Sequence, residues 1–233
     1  LCVRRLRNRN DPVLEEPAEA LASLPVIERP SESTGAVNRY AQECKVGPRA
    51  RWDSGSRKAR AIRVVVIHSA ETADSFGGDT SAEGVAGYFH TVPRKRGAST
   101  QLAVDRDSCV RMLPDLVIPW GAAGANHDGL HVEICGYARW SQDEWLYRDS
   151  MLRRAAYLVA KWCWLYSIRP KWLTDRQLAG GKARGLTTHK QVTEVFKRGT
   201  HWDPGPDFPR DVFLTWVREY LADIDSERGD RNL

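Results

Sequence analysis

The sequence predicts a mixed α/β domain in which a central mixed β-sheet is flanked by helices. Three observations carry this. A β-branched run, Ile62-Arg63-Val64-Val65-Val66-Ile67-His68, has the composition of a buried strand. Short apolar segments with turn residues between them follow, up to Leu130–Cys135. Two long segments then place apolar residues at helical spacing: Leu152, Ala155, Ala156, Val159, Trp162, Cys163 and Tyr166 in the first, and Phe213, Trp216, Val217, Tyr220, Leu221 and Ile224 in the second.

In chain order, residues 62–68 are expected to form a strand. Asp79-Thr80-Ser81 supplies caps for a helix at about 81–91. Gln101–Val104 and Cys109–Leu113 flank Asp105-Arg106-Asp107-Ser108 and read as a hairpin. Leu130–Cys135 is another strand, closed by Gly136. Helices are expected at about 143–167 and 210–224. Residues 1–60 are rich in Pro, Glu, Ser and Arg and read as an arm or inter-domain linker, with a short helix over Glu15–Ala22. The expected organisation is therefore an arm at 1–60, a domain at 61–225 and a tail at 226–233.

The 233 residues suffice for one good-sized core, and nine Trp help to fill it. No apolar run is long enough to span a membrane. The basic N-terminus has no apolar core behind it, so no signal peptide is expected. The first residue is not Met, and the chain reads as a piece of a longer polypeptide. The net charge of +5 sits mostly in residues 1–60, which hold 12 Lys+Arg against 8 Asp+Glu. This argues against a nucleic-acid partner for the main domain and fits attraction to an anionic polymer such as a cell wall. The five Cys are odd in number and widely spaced, without a CxxC. Buried free thiols and a reducing site of synthesis are expected.

Three residues far apart in sequence are candidate metal ligands: His68, His189 and Asp203. Two imidazoles and a carboxylate make a three-ligand zinc set that leaves a fourth position open, as catalytic zinc sites do. Taken singly, His68 also suits a hydrogen-bonded core, His189 an exposed loop and Asp203 a turn; the case rests on the set. Glu133 lies inside an apolar strand, on one face with His131 and Cys135. A carboxylate there is costly to bury unless it is paired or functional. It reads either as a salt-bridged structural Glu or as a general base with a raised pKa. His90 reads as structural or groove-lining, His127 as exposed, and His131 as a supporting residue rather than a ligand.

Several segments resemble the zinc-dependent type-2 N-acetylmuramoyl-L-alanine amidases, whose fold is shared with peptidoglycan recognition proteins and many bacteriophage endolysins. Val65-Val66-Ile67-His68-Ser69 is similar to the first zinc-ligand strand. Asn126 with Leu130-His131-Val132-Glu133-Ile134-Cys135-Gly136 is similar to the family's "N…SIGIELEG" segment. Leu186-Thr187-Thr188-His189 resembles the second ligand segment, and Asp203-Pro204-Gly205-Pro206-Asp207-Phe208-Pro209 the "DPGPxFP" that ends the site. Order and spacing fit across about residues 60–225. Two departures stand out. His201 occupies the place where many members have Lys, and "WHAG" is altered to Trp120-Gly121-Ala122-Ala123-Gly124.

The resemblance implies cleavage of the amide between N-acetylmuramic acid and the stem L-alanine of peptidoglycan. It implies Zn2+ held by His68, His189 and Asp203, Glu133 as general base, and His201 as oxyanion donor. An imidazolium in that role predicts a steeper alkaline loss of activity than Lys would give. Trp120, Asn126 and Trp202 are candidate substrate contacts. The context implied is a monomeric amidase domain of a modular endolysin, made in the host cytoplasm, reaching the wall through holin lesions, without stable membrane insertion and with further domains in the full chain. The alternatives are a non-catalytic peptidoglycan-binding module and a zinc peptidase acting on stem-peptide cross-links.

Overall fold

The computed structural model describes residues 44–74 and 81–229. The expected helix over 15–22 and most of the expected arm lie outside these residues. The strand expected at 62–68 is β3, Val64–Ser69, buried along its whole length. Before it, β1 (Lys45–Val46) and β2 (Asp53–Ser56) are short. Then come α1 (Ser81–Thr91), β4 (Leu102–Val104), β5 (Cys109–Arg111), β6 (Val117–Pro119) and β7 (Gly129–Ile134). The chain ends with α2 (Gln142–Leu146), α3 (Asp149–Leu165), α4 (Asp175–Ala179), β8 (Gly185–Thr188), α5 (His189–Phe196) and α6 (Arg210–Gly229).

Six strands form the central sheet in the order β1-β5-β4-β7-β3-β8, and β2 pairs with β6 in a small second sheet. The sheet is mixed, as expected: β4 and β5 form the antiparallel hairpin, and the other pairs are parallel. After β3 the chain builds toward β4, and after β7 it crosses to β8 on the other side of β3. The C-terminal ends of β3, β7 and β8 thus bracket the point where the strand order reverses. In open α/β sheets that crevice is where ligands bind.

One face of the sheet, with Val65, Ile67, Leu130, Val132 and Ile134, packs in the main core with α3 and α6. On the other face Val64 and Val66 meet a smaller cluster that includes Ala122, Leu173 and Val192. Alternation along β3 and β7 therefore assigns His68, His131 and Glu133 to the thinly covered face. Burying large side chains such as Trp145, Trp162 and Phe213 supplies most of the driving force, at about 1.5–3 kcal/mol each.

The helix expected over 143–167 is two helices. A capping box at Ser141 and Glu144 starts α2. It stops near Arg148, whose Nη1 donates to the Glu144 carbonyl at 2.6 Å while the guanidinium lies over the Trp140 ring. Helix α6 runs to Gly229, past the expected end at 224. Asp105 of the hairpin loop accepts from the Ala82 amide at 2.9 Å, so part of the cap on α1 comes from a distant segment, while the expected caps Asp79 and Thr80 lie outside the described residues.

The expectation of free thiols is corrected. Cys44 and Cys109 form a disulfide across 65 residues, whereas Cys135 and Cys163 are free and buried. The pairing was not readable from spacing, because the β1–β5 contact creates it. Cross-links over loops of this length stabilise by about 3–4 kcal/mol. A Cys44→Ser, Cys109→Ser double variant should lose about that much in guanidinium unfolding. Reductant should bring the wild type to the same midpoint and leave the variant unmoved.

Candidate active site

Register builds the site. His68 pairs directly with Glu133, and Ile67 pairs with Thr188. The residue after Thr188 is His189, so the turn from β8 into α5 puts the second imidazole beside the first. Thr188 caps that helix by accepting from the Gln191 amide. The two rings lie edge to face at 4.5 Å between centroids.

Asp203 arrives from the loop after α5. Its carbonyl accepts from the Lys190 amide at 2.9 Å, which ties the loop to the start of α5. Gly205, two residues on, has φ +90°, and a Cβ there would lie 1.8 Å from the Ala138 carbonyl oxygen. Only glycine fits that approach. The Asp203 carboxylate lies 3.2 Å from His68 Nδ1 and 3.1 Å from His189 Nδ1. One ligand atom from each of His68, His189 and Asp203 lies within 4.8 Å of the others, and all three residues are buried. Two imidazole nitrogens and one carboxylate oxygen on one side of a cleft fit a borderline cation such as Zn2+.

Electrostatics agree with this reading. Burial alone would raise the Asp203 pKa, but hydrogen bonds from His189 and His68 hold it well below the ordinary carboxylate range. Burial, and then His68, lower the proton affinity of His189. Asp203 is thus biased toward its carboxylate and His189 toward its neutral imidazole, the forms in which each can act as a ligand. Glu133 behaves oppositely. Burial first, then the charges of Asp203 and Glu71, push its carboxyl well above its ordinary value of 4.5. Its Oε1 lies 3.9 Å from His68 Nδ1, outside hydrogen-bond range and on the cation side of that ring. A carboxylate made proton-avid in this way is suited to general-base work.

These groups line the floor of a cleft of about 790 Å³ that also takes in Ser69, Glu71, Tyr88, Ser99 and Gly121. His201 lines it as well, stacked on His189 at 3.9 Å between centroids. Its Nδ1 lies 3.7 Å from Asp203 Oδ1. Trp120, Asn126 and Trp202 are not among the lining residues. Trp120 stacks on Trp52, and its Nε1 donates to Ser54. The Asn126 side-chain oxygen is taken up by the amides of Gly121 and Ala122, which makes it a turn-holding residue. Trp202 is 48% exposed. His90 bonds to the Arg49 carbonyl, and His127 is exposed. Sequence reading missed Glu71, whose φ of +52° is a sparsely populated conformation for a non-glycine residue. Its Oε1 accepts from Ser69 Oγ and the Ala138 amide, both at 2.8 Å. No sequence pattern marks that backbone strain.

Comparison with known proteins agrees. The family model described as N-acetylmuramoyl-L-alanine amidase matches residues 58–206. The chain belongs to the N-acetylmuramoyl-L-alanine amidase family. Among solved structures it is similar to the Staphylococcus aureus hydrolase AmiA, at 18% identity and a TM-score of 0.57, covering 76% of this chain and 83% of that one. It is also similar to the amidase LysC from Clostridium intestinale, at 15% identity and 0.51, covering 74% and 96%. Comparison with curated proteins gives no match. Membership settles the enzyme class, and the solved structures confirm the fold. Among the described residues no helix is long and apolar enough to cross a membrane.

The strain of burying Glu133 makes a stability prediction. Folded Glu133 holds its proton more tightly than the unfolded chain does. Its contribution is therefore favourable below about pH 4.5 and is lost as pH rises through the higher folded value. Metal-free Glu133→Gln should melt above metal-free wild type at pH 7–8, with the gap closing toward pH 4. Parallel melting curves across that range would show Glu133 to be unstrained.

Proposed function

We propose that this chain is a zinc-dependent peptidoglycan amidase that cleaves the bond between the lactyl carbonyl of N-acetylmuramic acid and the stem L-alanine. The convergence of Glu133 with His68, His189 and Asp203 on one cleft floor carries the reading. A cation held by His68, His189 and Asp203 would polarise the scissile carbonyl and acidify a water. Glu133 then takes that water's proton, because its surroundings favour the neutral acid, and passes it to the departing amine. As Glu133 takes the proton, the water oxygen would add to the carbonyl carbon; the C–N bond breaks when Glu133 returns the proton to nitrogen, and the products are a lactyl carboxylate and a free L-alanine amine. The cleft that Tyr88 and Gly121 also line is where the muramyl and stem-peptide parts of the substrate would lie.

His201 stands beside this floor as a donor to the oxyanion. Burial and the neighbouring His189 lower its proton affinity, so near pH 7 it donates through a neutral N–H. The loss of charge expected at alkaline pH from sequence thus moves to lower pH. In a phage setting the same activity would serve host-cell lysis, with the arm joining this domain to others of an endolysin.

Digestion of purified peptidoglycan by the zinc-loaded protein, followed by mass spectrometry, should release stem peptides beginning with L-alanine. Glu133→Gln should slow release by about 10²–10⁴-fold. Release of fragments cut within the stem would replace the amidase with a peptidase, and binding without release would point to a recognition module. His201→Lys should raise kcat at pH 8, since Lys keeps a charge there that His201 has lost, and charge-assisted bonds are about twice as strong. An unchanged kcat would remove His201 from the reaction.

A further inference from the structure

His131 is the one buried histidine that the mechanism above does not use. It lies on β7, two residues before Glu133, and is fully buried. Its Nδ1 sits 3.0 Å from Nε2 of His68, while the other nitrogen of His68, Nδ1, faces Asp203 at 3.2 Å. The two nitrogens of His68 are therefore divided between two jobs. For Nδ1 to offer a lone pair to a cation, the ring proton must sit on Nε2. His68 is 2% exposed, so water gives that proton little access, and the nitrogen facing it is His131 Nδ1.

The fold holds the His131 ring in this position. Its amide donates to Gln101 Oε1 at 2.8 Å, and its carbonyl accepts from the Gln101 amide at 3.1 Å. Two glycines leave room for the imidazole. A Cβ on Gly121 would lie 2.4 Å from His131 Nδ1, and one on Gly129 would lie 2.8 Å from Nε2. The Ala125 carbonyl oxygen stands on the Nε2 side of the ring, since a Cβ on Gly129 would meet that oxygen at 2.4 Å and Nε2 at 2.8 Å. Nδ1 is thus left as the acceptor end.

We propose that His131 is a positioning residue for the metal site: its Nδ1 accepts the Nε2 proton of His68 and so fixes the tautomer that turns His68 Nδ1 toward the cation. The proposal rests on the metal-site reading above. Outer partners of this kind tune affinity, and their loss weakens metal binding by about 10–100-fold.

The test uses the full chain with zinc alone as probe. Long-range proton–nitrogen NMR of the zinc-loaded wild type should show His68 protonated at Nε2 and His131 protonated at Nε2 only. A His131 ring protonated at Nδ1 overturns the proposal without any variant. Chelator competition should then give His131→Leu a zinc Kd about 10–100-fold weaker than wild type. His131→Asn, whose side-chain oxygen can accept near the Nδ1 position, should stay within about threefold on the same scale. Equal weakening in the two variants, or none in His131→Leu, refutes the role of the acceptor. Failure of the wild type itself to bind one zinc would instead overturn the metal-site reading, so the two failures are distinct.

Discussion

The parallel pairing of β3 with β7 and β8 puts His68 opposite Glu133 and one step from His189. The placement of these three side chains on the cleft floor follows from that register. Because side chains alternate along a strand, a slip of one residue would turn His68 and Glu133 into the main core and bring Ile67 and Val132 to the cleft. The apolar residues of the two strands resist such a slip, since Val65, Ile67, Leu130, Val132 and Ile134 are all buried on the opposite face. The hydrophobic core thereby sets the geometry of polar groups with which it shares no chemistry.

The polar groups oppose one another in a useful way. Asp203 is drawn toward its charged form by two imidazoles, and Glu133 is driven toward its neutral form by burial and by Asp203 itself. Neighbouring carboxylates in one cleft are thus separated in proton affinity, one suited to ligation and the other to proton transfer. Glycines at 121 and 205 serve the same end through space rather than charge. The first leaves room for the His131 ring, and the second lets the Asp203 loop close against Ala138.

Much of the framework was legible because it depends on local pattern. The β-branched run of β3, the apolar stretch of β7 and the periodic faces of α3 and α6 are signals carried by adjacent residues. So were the candidate site residues, since His68 and Glu133 sit inside apolar strands and Asp203 opens a Pro-Gly-Pro turn. Trp120, Asn126 and Trp202 were named for their chemistry, and none of them lines the cleft. Trp52 and Ser54 take up Trp120, and the 121–122 amides take up Asn126. The break between α2 and α3 falls at Arg148, whose backbone leaves the helical region (φ −106°, ψ 41°) while its side chain bonds back to the Glu144 carbonyl, and periodicity reports neither.

By itself the sequence determined which faces are apolar, which residues are candidates for the chemistry and to which family the chain corresponds, because these follow from residue type and short-range spacing. Tertiary structure alone decided the Cys44–Cys109 bond, the Asp105 cap on α1, the strain at Glu71 and the contact between His131 and His68. In these pairs and caps the partners lie on elements separated by 23 to 65 residues, and sheet register brings them together. Register is a property of all the strands at once, so no single segment of the chain encodes it.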